Sequence, residues 1–208
     1  MLKELMTRYP CLTACEQEIA DSIRILIACY ETGGKLLICG NGGSSADADH
    51  IVGELMKGFL KKRPLSAAQR EQMLARNPAF SAALADGLQV GLPAVALSSI
   101  NGLNTAFGND VSPTLAYAQG VLGLGKSGDV LLAISTSGNA ENVAAAAQTA
   151  KALGITVIGL TGAGGGQLGG IADIVIRVPE TETFKVQELH LPVYHTLCAA
   201  VEAHFFAE

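Results

Sequence analysis

The stretch VLLAISTSGN (Val130–Asn139) decides the fold. Five apolar residues, Val130–Ile134, run straight into a turn of Ser135, Thr136, Ser137, Gly138 and Asn139. A run this short and this uniformly apolar fits a strand covered on both faces, as in a parallel sheet. Four more such runs flank it: Leu36–Cys39, Pro93–Leu97, Thr156–Leu160 and Ile174–Val178. Helical patterns separate most of them, at 44–60, at 101–122 in pieces and at 139–153, with 182–206 after the last. Before the first run, Leu2, Leu5, Ile19, Ile23, Leu26 and Ile27 recur at helical spacing. Pro10 divides that stretch into a short helix and a longer one, and Gly33-Gly34 ends it. The alternation predicts an α/β fold. Its core is a doubly wound, five-stranded, mainly parallel sheet flanked by helices, with a long N-terminal helix.

Residues 61–90 break the pattern. They hold a concentration of charge and no apolar strand, and read as a helical insertion within a single domain spanning residues 1–208. The run Lys61-Lys62-Arg63 reads as a solvated face, or as a positive rim that steers an anionic substrate.

Composition excludes several classes. Hydrophobic residues make up 49% of the 208 and charged residues 16%, with a mean hydropathy of +0.34, too apolar for a disordered chain. Lys and Arg number 14 against 19 Asp and Glu, a net charge of −5, so no domain-wide basic footprint for nucleic acid exists. Trp is absent and aromatics are 5%, which argues against a stacking platform for single strands. No apolar run is long enough to span a bilayer, and the first residues carry charges where a signal peptide needs an apolar core. A cytoplasmic location is expected. The five cysteines include no CxxC pair and read as reduced, mostly buried thiols.

The turns after the strands point to a ligand. Gly40, Asn41, Gly42, Gly43 and Ser44 follow the first run, the Ser135–Ser137 turn follows the third, and Thr161-Gly162-Ala163-Gly164 follows the fourth. In open α/β sheets ligands bind beyond the carboxyl ends of the strands. Glycines let the backbone approach closely, and free N–H groups with Ser and Thr hydroxyls make an anion cradle. A phosphorylated ligand is expected; tight turns with simple helix caps are the alternative. The first turn lacks the Gly-Lys-Ser/Thr ending of a P-loop, so a nucleotide is disfavoured. His50 and Glu54 share one face of the helix that follows it. Gln187 and His195 share a face of the last helix. Together they could build a divalent-metal site of mixed N and O donors. Otherwise the two histidines are satisfied core or interface residues.

CGNGGSSADADHIVGEL (Cys39–Leu55), GDVLLAISTSGNAENV (Gly128–Val143), ITVIGLTGAGGGQLGGIADIVIRVP (Ile155–Pro179) and VQELHLPVYH (Val186–His195) closely resemble the sedoheptulose-7-phosphate isomerase (phosphoheptose isomerase) family, which has the sugar isomerase (SIS) fold. The resemblance covers nearly the whole chain except roughly 61–90. It implies an aldose–ketose isomerase of a sugar phosphate, working through an enediol(ate). It implies Glu54 as the general base and His195 as the second acid/base. Asn41, Gly42, Gly43, Ser44, Asn109, Asp110, Ser135, Thr136, Ser137 and Gln187 match substrate positions. His50, Glu54, Gln187 and His195 match a zinc site. A homotetramer with sites between subunits is implied as well, with no nucleic-acid or membrane partner. Asn109-Asp110 by itself reads as a turn or cap.

The chain departs from the family pattern at Ala140, where a serine is usual, and at Ser98-Ser99-Ile100, Phe184-Lys185 and Lys57-Gly58-Phe59. These positions bear on which sugar is used. Two readings from other classes stand beside the enzyme: a non-catalytic scaffold like the DnaA initiator-associating protein, and a sugar-phosphate-sensing module.

Overall fold

The computed structural model describes residues 1–206. Five strands form one sheet: β1 (Leu36–Cys39), β2 (Ala94–Ala96), β3 (Val130–Ile134), β4 (Thr156–Thr161) and β5 (Ile174–Arg177). Their order is β2-β1-β3-β4-β5 and every pairing is parallel. All of β1 and β3 is buried, as their uniform hydrophobicity requires of central strands. Alternate residues divide the core. Leu36, Ile38, Val130, Leu132 and Ile134 face one layer, while Leu37, Cys39, Leu131 and Ala133 face the other.

The first layer holds α1 (Leu2–Arg8), a 3-10 turn over Pro10–Cys15, α2 (Glu16–Glu31), α3 (Gly43–Met56) and α10 (Thr183–Phe205). The second holds α7 (Ala116–Leu124) and α8 (Glu141–Ala152), with the short α9 (Leu168–Ile171) beside them. Helix α6 (Asn101–Asp110) leads from β2 toward α7. Asp129, 1% exposed, ties the starts of β1 and β3 together. It accepts from the Lys35 backbone N–H at 3.0 Å and from Lys35 Nζ at 2.6 Å.

Residues 64–89 leave the sheet and return. Pro64 and Gln89 form an antiparallel bridge that closes the excursion. Within it lie α4 (Ala67–Arg76), started by a Ser66/Gln69 capping box, and α5 (Ala82–Gly87), capped by Ser81. Arg70 pairs with Asp86 across the two.

Two details differ from the sequence reading. Helix α3 ends at Met56 rather than running to residue 60, because Lys57 turns to an extended conformation. The next N–H groups are drawn elsewhere: Phe59 and Leu60 donate to the two Glu202 carboxylate oxygens at 2.8 and 2.7 Å. Arg63 is not part of a solvated face. It is 1% exposed and makes a buried ion pair with Glu202 at 2.8 Å. Its guanidinium also donates to the Leu55 carbonyl at 2.6 Å and the Glu54 carbonyl at 3.2 Å, and it lies over the Phe206 ring. Burial works against the Glu202 charge, but the Phe59 and Leu60 N–H groups and Arg63 outweigh it and hold the carboxyl below its usual range.

All five cysteines are free thiols, and all but Cys11 are buried. No helix among the described residues is long and apolar enough to cross a membrane.

Removing one partner of a buried pair strands the other charge, so Glu202→Ala is expected to lower unfolding free energy by about 3–5 kcal/mol. Urea denaturation measures this, and a loss below about 1 kcal/mol contradicts the clasp. A second prediction concerns His190. It is fully buried, and burial pushes its pKa from 6.5 down to about 4. The neutral ring's contribution is complete above pH 6.5 and is lost as pH falls through about 4. The loss should reach about 3 kcal/mol, from 1.36 kcal/mol per pKa unit. His190→Gln should flatten that acid limb in denaturation curves run from pH 7 to 4.

Candidate active site

β1 is the point where the winding of the sheet reverses, since β2 lies on one side of it and β3 on the other. The crevice beyond the carboxyl ends of β1 and β3 is the binding position of such sheets. The two Ser/Gly turns meet there. Asn41 Nδ2 donates to Asn142 Oδ1 at 2.8 Å, and Asn142 Nδ2 returns a bond to Asn41 Oδ1 at 2.9 Å. Tyr117 fastens the same turn from below, donating to the Gly40 carbonyl at 2.9 Å.

Backbone conformation explains the glycines. Gly42 has φ 56°, which lets α3 begin at Gly43. Gly138 has φ 69°, and a Cβ there would lie 2.0 Å from the Gly165 carbonyl oxygen. The Ser135–Asn139 turn therefore packs backbone to backbone on the Gly162–Gly166 turn. Leu168 N–H donates to the Gly138 carbonyl at 3.0 Å and Gln167 N–H to Asn139 Oδ1 at 3.0 Å. Ser137 and Asn139 stay exposed and Ser135 is buried. Ser44 is buried as well, at the first turn of α3.

Helices α3 and α10 run side by side, and their pairs meet in order. Gly43 lies against the Gln187 amide; a Cβ on Gly43 would be 2.4 Å from Gln187 Nε2. Two turns further along, His50 and His195 meet with ring centroids 4.9 Å apart. His50 Nε2 is 3.2 Å from Glu54 Oε1, and Lys57 Nζ is 3.3 Å from Glu54 Oε2. His195 is half-buried, and its Nε2 is buried without a hydrogen-bond partner among the described residues. Burial, followed by the nearby His50, pushes the His195 pKa down, so the ring is neutral near pH 7. A cavity of about 430 Å³ opens beside it, walled in part by Arg8, Tyr9, Phe59 and Leu191.

The predicted residues thus fall into three groups. Asn41, Gly42, Gly43, Ser44, Ser135, Thr136, Ser137 and Gln187 gather around the two turns. His50, Glu54 and His195 gather farther along α3 and α10. Asn109 and Asp110 sit exposed at the end of α6, where Asn109 Nδ2 donates to Asp110 Oδ1 at 2.9 Å, and they hydrogen-bond to no other predicted residue. Among the described residues no three His, Cys, Asp or Glu side chains are grouped to hold a metal ion. His50 Nε2 is engaged with Glu54, and Gln187 lies about 12 Å from His195 along the helix axis. Three of the four expected zinc ligands, His50, Glu54 and His195, thus stand together, with Gln187 nearer the first turn.

Several members of the site carry no sequence signal. Tyr117, Asn142, Asp47 and Tyr194 enter through contacts 76 to 147 residues apart in the chain, which no local spacing can reveal.

This geometry defines a class: a doubly wound parallel domain with serine and glycine turns at its switch point. The SIS domain model matches residues 10–81 and 81–162. A phosphoheptose isomerase of Rhodospirillum rubrum is 39% identical over 90% of this chain and 86% of its own length. One of Shewanella sp. (strain ANA-3) is 34% identical over 99% of this chain and 93% of its own. Among solved structures, phosphoheptose isomerase from Neisseria gonorrhoeae superposes with a TM-score of 0.76 at 29% identity, over 97% of this chain and 94% of that one. The enzyme from Francisella tularensis does so at 0.76 and 32%, over 93% and 90%. The chain belongs to the phosphoheptose isomerase family of SIS-domain proteins.

Gly138→Ala should show how strictly the turn is built. A left-handed φ and a backbone clash together are expected to cost about 2 kcal/mol or more. Denaturation that matches the parent would contradict the backbone-to-backbone packing.

Proposed function

We propose that the protein interconverts a ketose phosphate, sedoheptulose 7-phosphate or a close relative, with its aldose phosphate. The observation that carries this is the pairing of Ser/Gly turns at the switch point with a carboxyl–imidazole cluster farther along α3 and α10. Family membership supports the same reading over a scaffold or a sensor.

The Ser135–Ser137 turn would take the phosphate. It lies just before the N-terminus of α8, whose dipole adds a favourable field for an anion. Helix α3 leads from this crevice to His50 over about 10 Å, seven residues at 1.5 Å each. A sugar chain laid along it brings its carbonyl end to Glu54 and His195.

Glu54 is the general base. It removes a proton from the carbon beside the ketose carbonyl, giving an enediol(ate). His195, neutral and with a free Nε2, donates to and accepts from the two oxygens as the double bond shifts. The proton then returns to the neighbouring carbon. The Gln187 amide, at the head of α10, would hold a substrate hydroxyl near the cradle. Lys57 Nζ lies 3.3 Å from Glu54 Oε2 and pairs with it.

The quaternary structure forms part of the proposal. The cavity at His195 is open and lined by apolar Leu60 and Leu191, which are exposed in a single chain. A second subunit closing that side, within a homotetramer, would exclude water from the reacting carbons.

Solvent-deuterium incorporation, followed by NMR over a panel of ketose phosphates, tests the reading. Exchange is expected at the carbon next to the carbonyl. Glu54→Gln should reduce it by about 10²-fold or more. Exchange by Glu54→Gln at the parent rate would overturn the base assignment, and no exchange with any ketose phosphate would overturn the isomerase.

A further inference from the structure

Asn41 lies in the turn between β1 and α3, and Asn142 in the first turn of α8. The two amides are 101 residues apart in the chain and bond to each other twice, at 2.8 and 2.9 Å. A third contact fixes which way both amides face. The Val143 backbone N–H lies 3.0 Å from Asn142 Oδ1, and an N–H only donates, so the atom there is the oxygen. Asn142 Nδ2 is then the atom turned to Asn41, which meets it with Oδ1 and donates from Nδ2.

Donor arithmetic shows what is left for a ligand. Asn142 Oδ1 accepts from Asn41 Nδ2 and from Val143. Asn41 Oδ1 accepts from Asn142 Nδ2, and it lies 3.2 Å from the Tyr117 hydroxyl, whose single hydrogen it shares with the Gly40 carbonyl at 2.9 Å. Both amide oxygens are therefore engaged. Each Nδ2 carries two hydrogens and has used one, and neither nitrogen has a further partner among the described residues. The pair has donors to offer and no free amide acceptor, which suits a phosphate.

Asn142 has a second role within its own helix. Ala140 stands at the N-cap of α8 and has no hydroxyl to cap it. The Val143 N–H, third in the helix, is a group that an N-cap side chain would take. Asn142 Oδ1 takes it instead.

We propose that Asn142 is a positioning residue that holds the Asn41 amide with its oxygen engaged, so that the β1 turn meets the phosphorylated substrate with a hydrogen-bond donor. Released from Asn142, the Asn41 amide is free to turn over and present its oxygen, which repels an anion. Asn142 acts through Asn41 and stands on α8, in the layer opposite the α3 and α10 residues Glu54 and His195. Substrate binding should therefore depend on it and the proton transfer should not. The effect on turnover rests on the isomerase reading above; the effect on anion binding does not.

Ala140→Ser gives α8 a hydroxyl cap that does not depend on residue 142. In that background Asn142→Ala removes the bridge and leaves the helix capped. The two proteins are compared in affinity for inorganic phosphate by calorimetry, in ketose-phosphate exchange, and in urea denaturation. The phosphate Kd and the KM are expected to rise about 10-fold in the double variant, with kcat within about twofold. Asn142→Ala alone should also lower the urea midpoint, because it loses the cap as well. A double variant that binds phosphate and ketose phosphate as Ala140→Ser does overturns the proposal and leaves Asn142 as a cap. A parent that binds no inorganic phosphate overturns it too. A 10-fold rise in phosphate Kd in a protein that exchanges no ketose phosphate keeps the positioning and removes the isomerase reading.

Discussion

β1 sends the chain out to β2 on one side and later receives β3 on the other, and that reversal opens the crevice on which the rest of the site depends. Parallel strands place all their carboxyl ends on one edge. Helices starting from β1 and β3 diverge to opposite faces, so their first N–H groups point into the gap between them. The Asn41–Asn142 amide pair links the first turn to the start of α8, and Tyr117 pins that turn to α7. The proposed anion cradle follows from topology, with hydroxyls and glycines supplying the detail.

The second half of the site depends on α3 and α10 lying side by side. Each supplies a polar pair, and register between the helices brings His50 to His195 while Gly43 meets Gln187. The far end of α3 is secured by the buried Arg63–Glu202 pair. Through its bonds to the Glu54 and Leu55 carbonyls, Arg63 caps the last turn of α3. A charge pair this deeply buried is costly to form and more costly to break. It fixes where the helix stops, two residues after Glu54, so the Glu54 side chain sits on ordered backbone.

Much of this was legible in the residues. Uniformly apolar four- and five-residue runs gave the central strands β1 and β3 to the residue, because burial on both faces leaves no polar position. The β2 run was read one residue long at each end, since Pro93 and Leu97 are apolar yet outside the ladder. Helix–helix register was not legible, and so neither were Tyr194 and Asp47. The burial of Arg63 is hidden in the sequence for a related reason. Beside Lys61 and Lys62 it reads as solvent-facing, and only the distant Glu202 on α10 explains its burial. Spacing alone put His50 with Glu54 and Gln187 with His195 on one face each, but it fixes a face and not a meeting point, so the approach of His50 to His195 was not legible.

The most direct test of the account is a crystal structure with a non-turned-over ketose phosphate analogue bound. The phosphate is predicted against the Ser135–Ser137 turn, with the carbonyl end of the sugar between Glu54 and His195. A phosphate seated away from the β1–β3 crevice, or a sugar whose carbonyl end points away from Glu54, would contradict it.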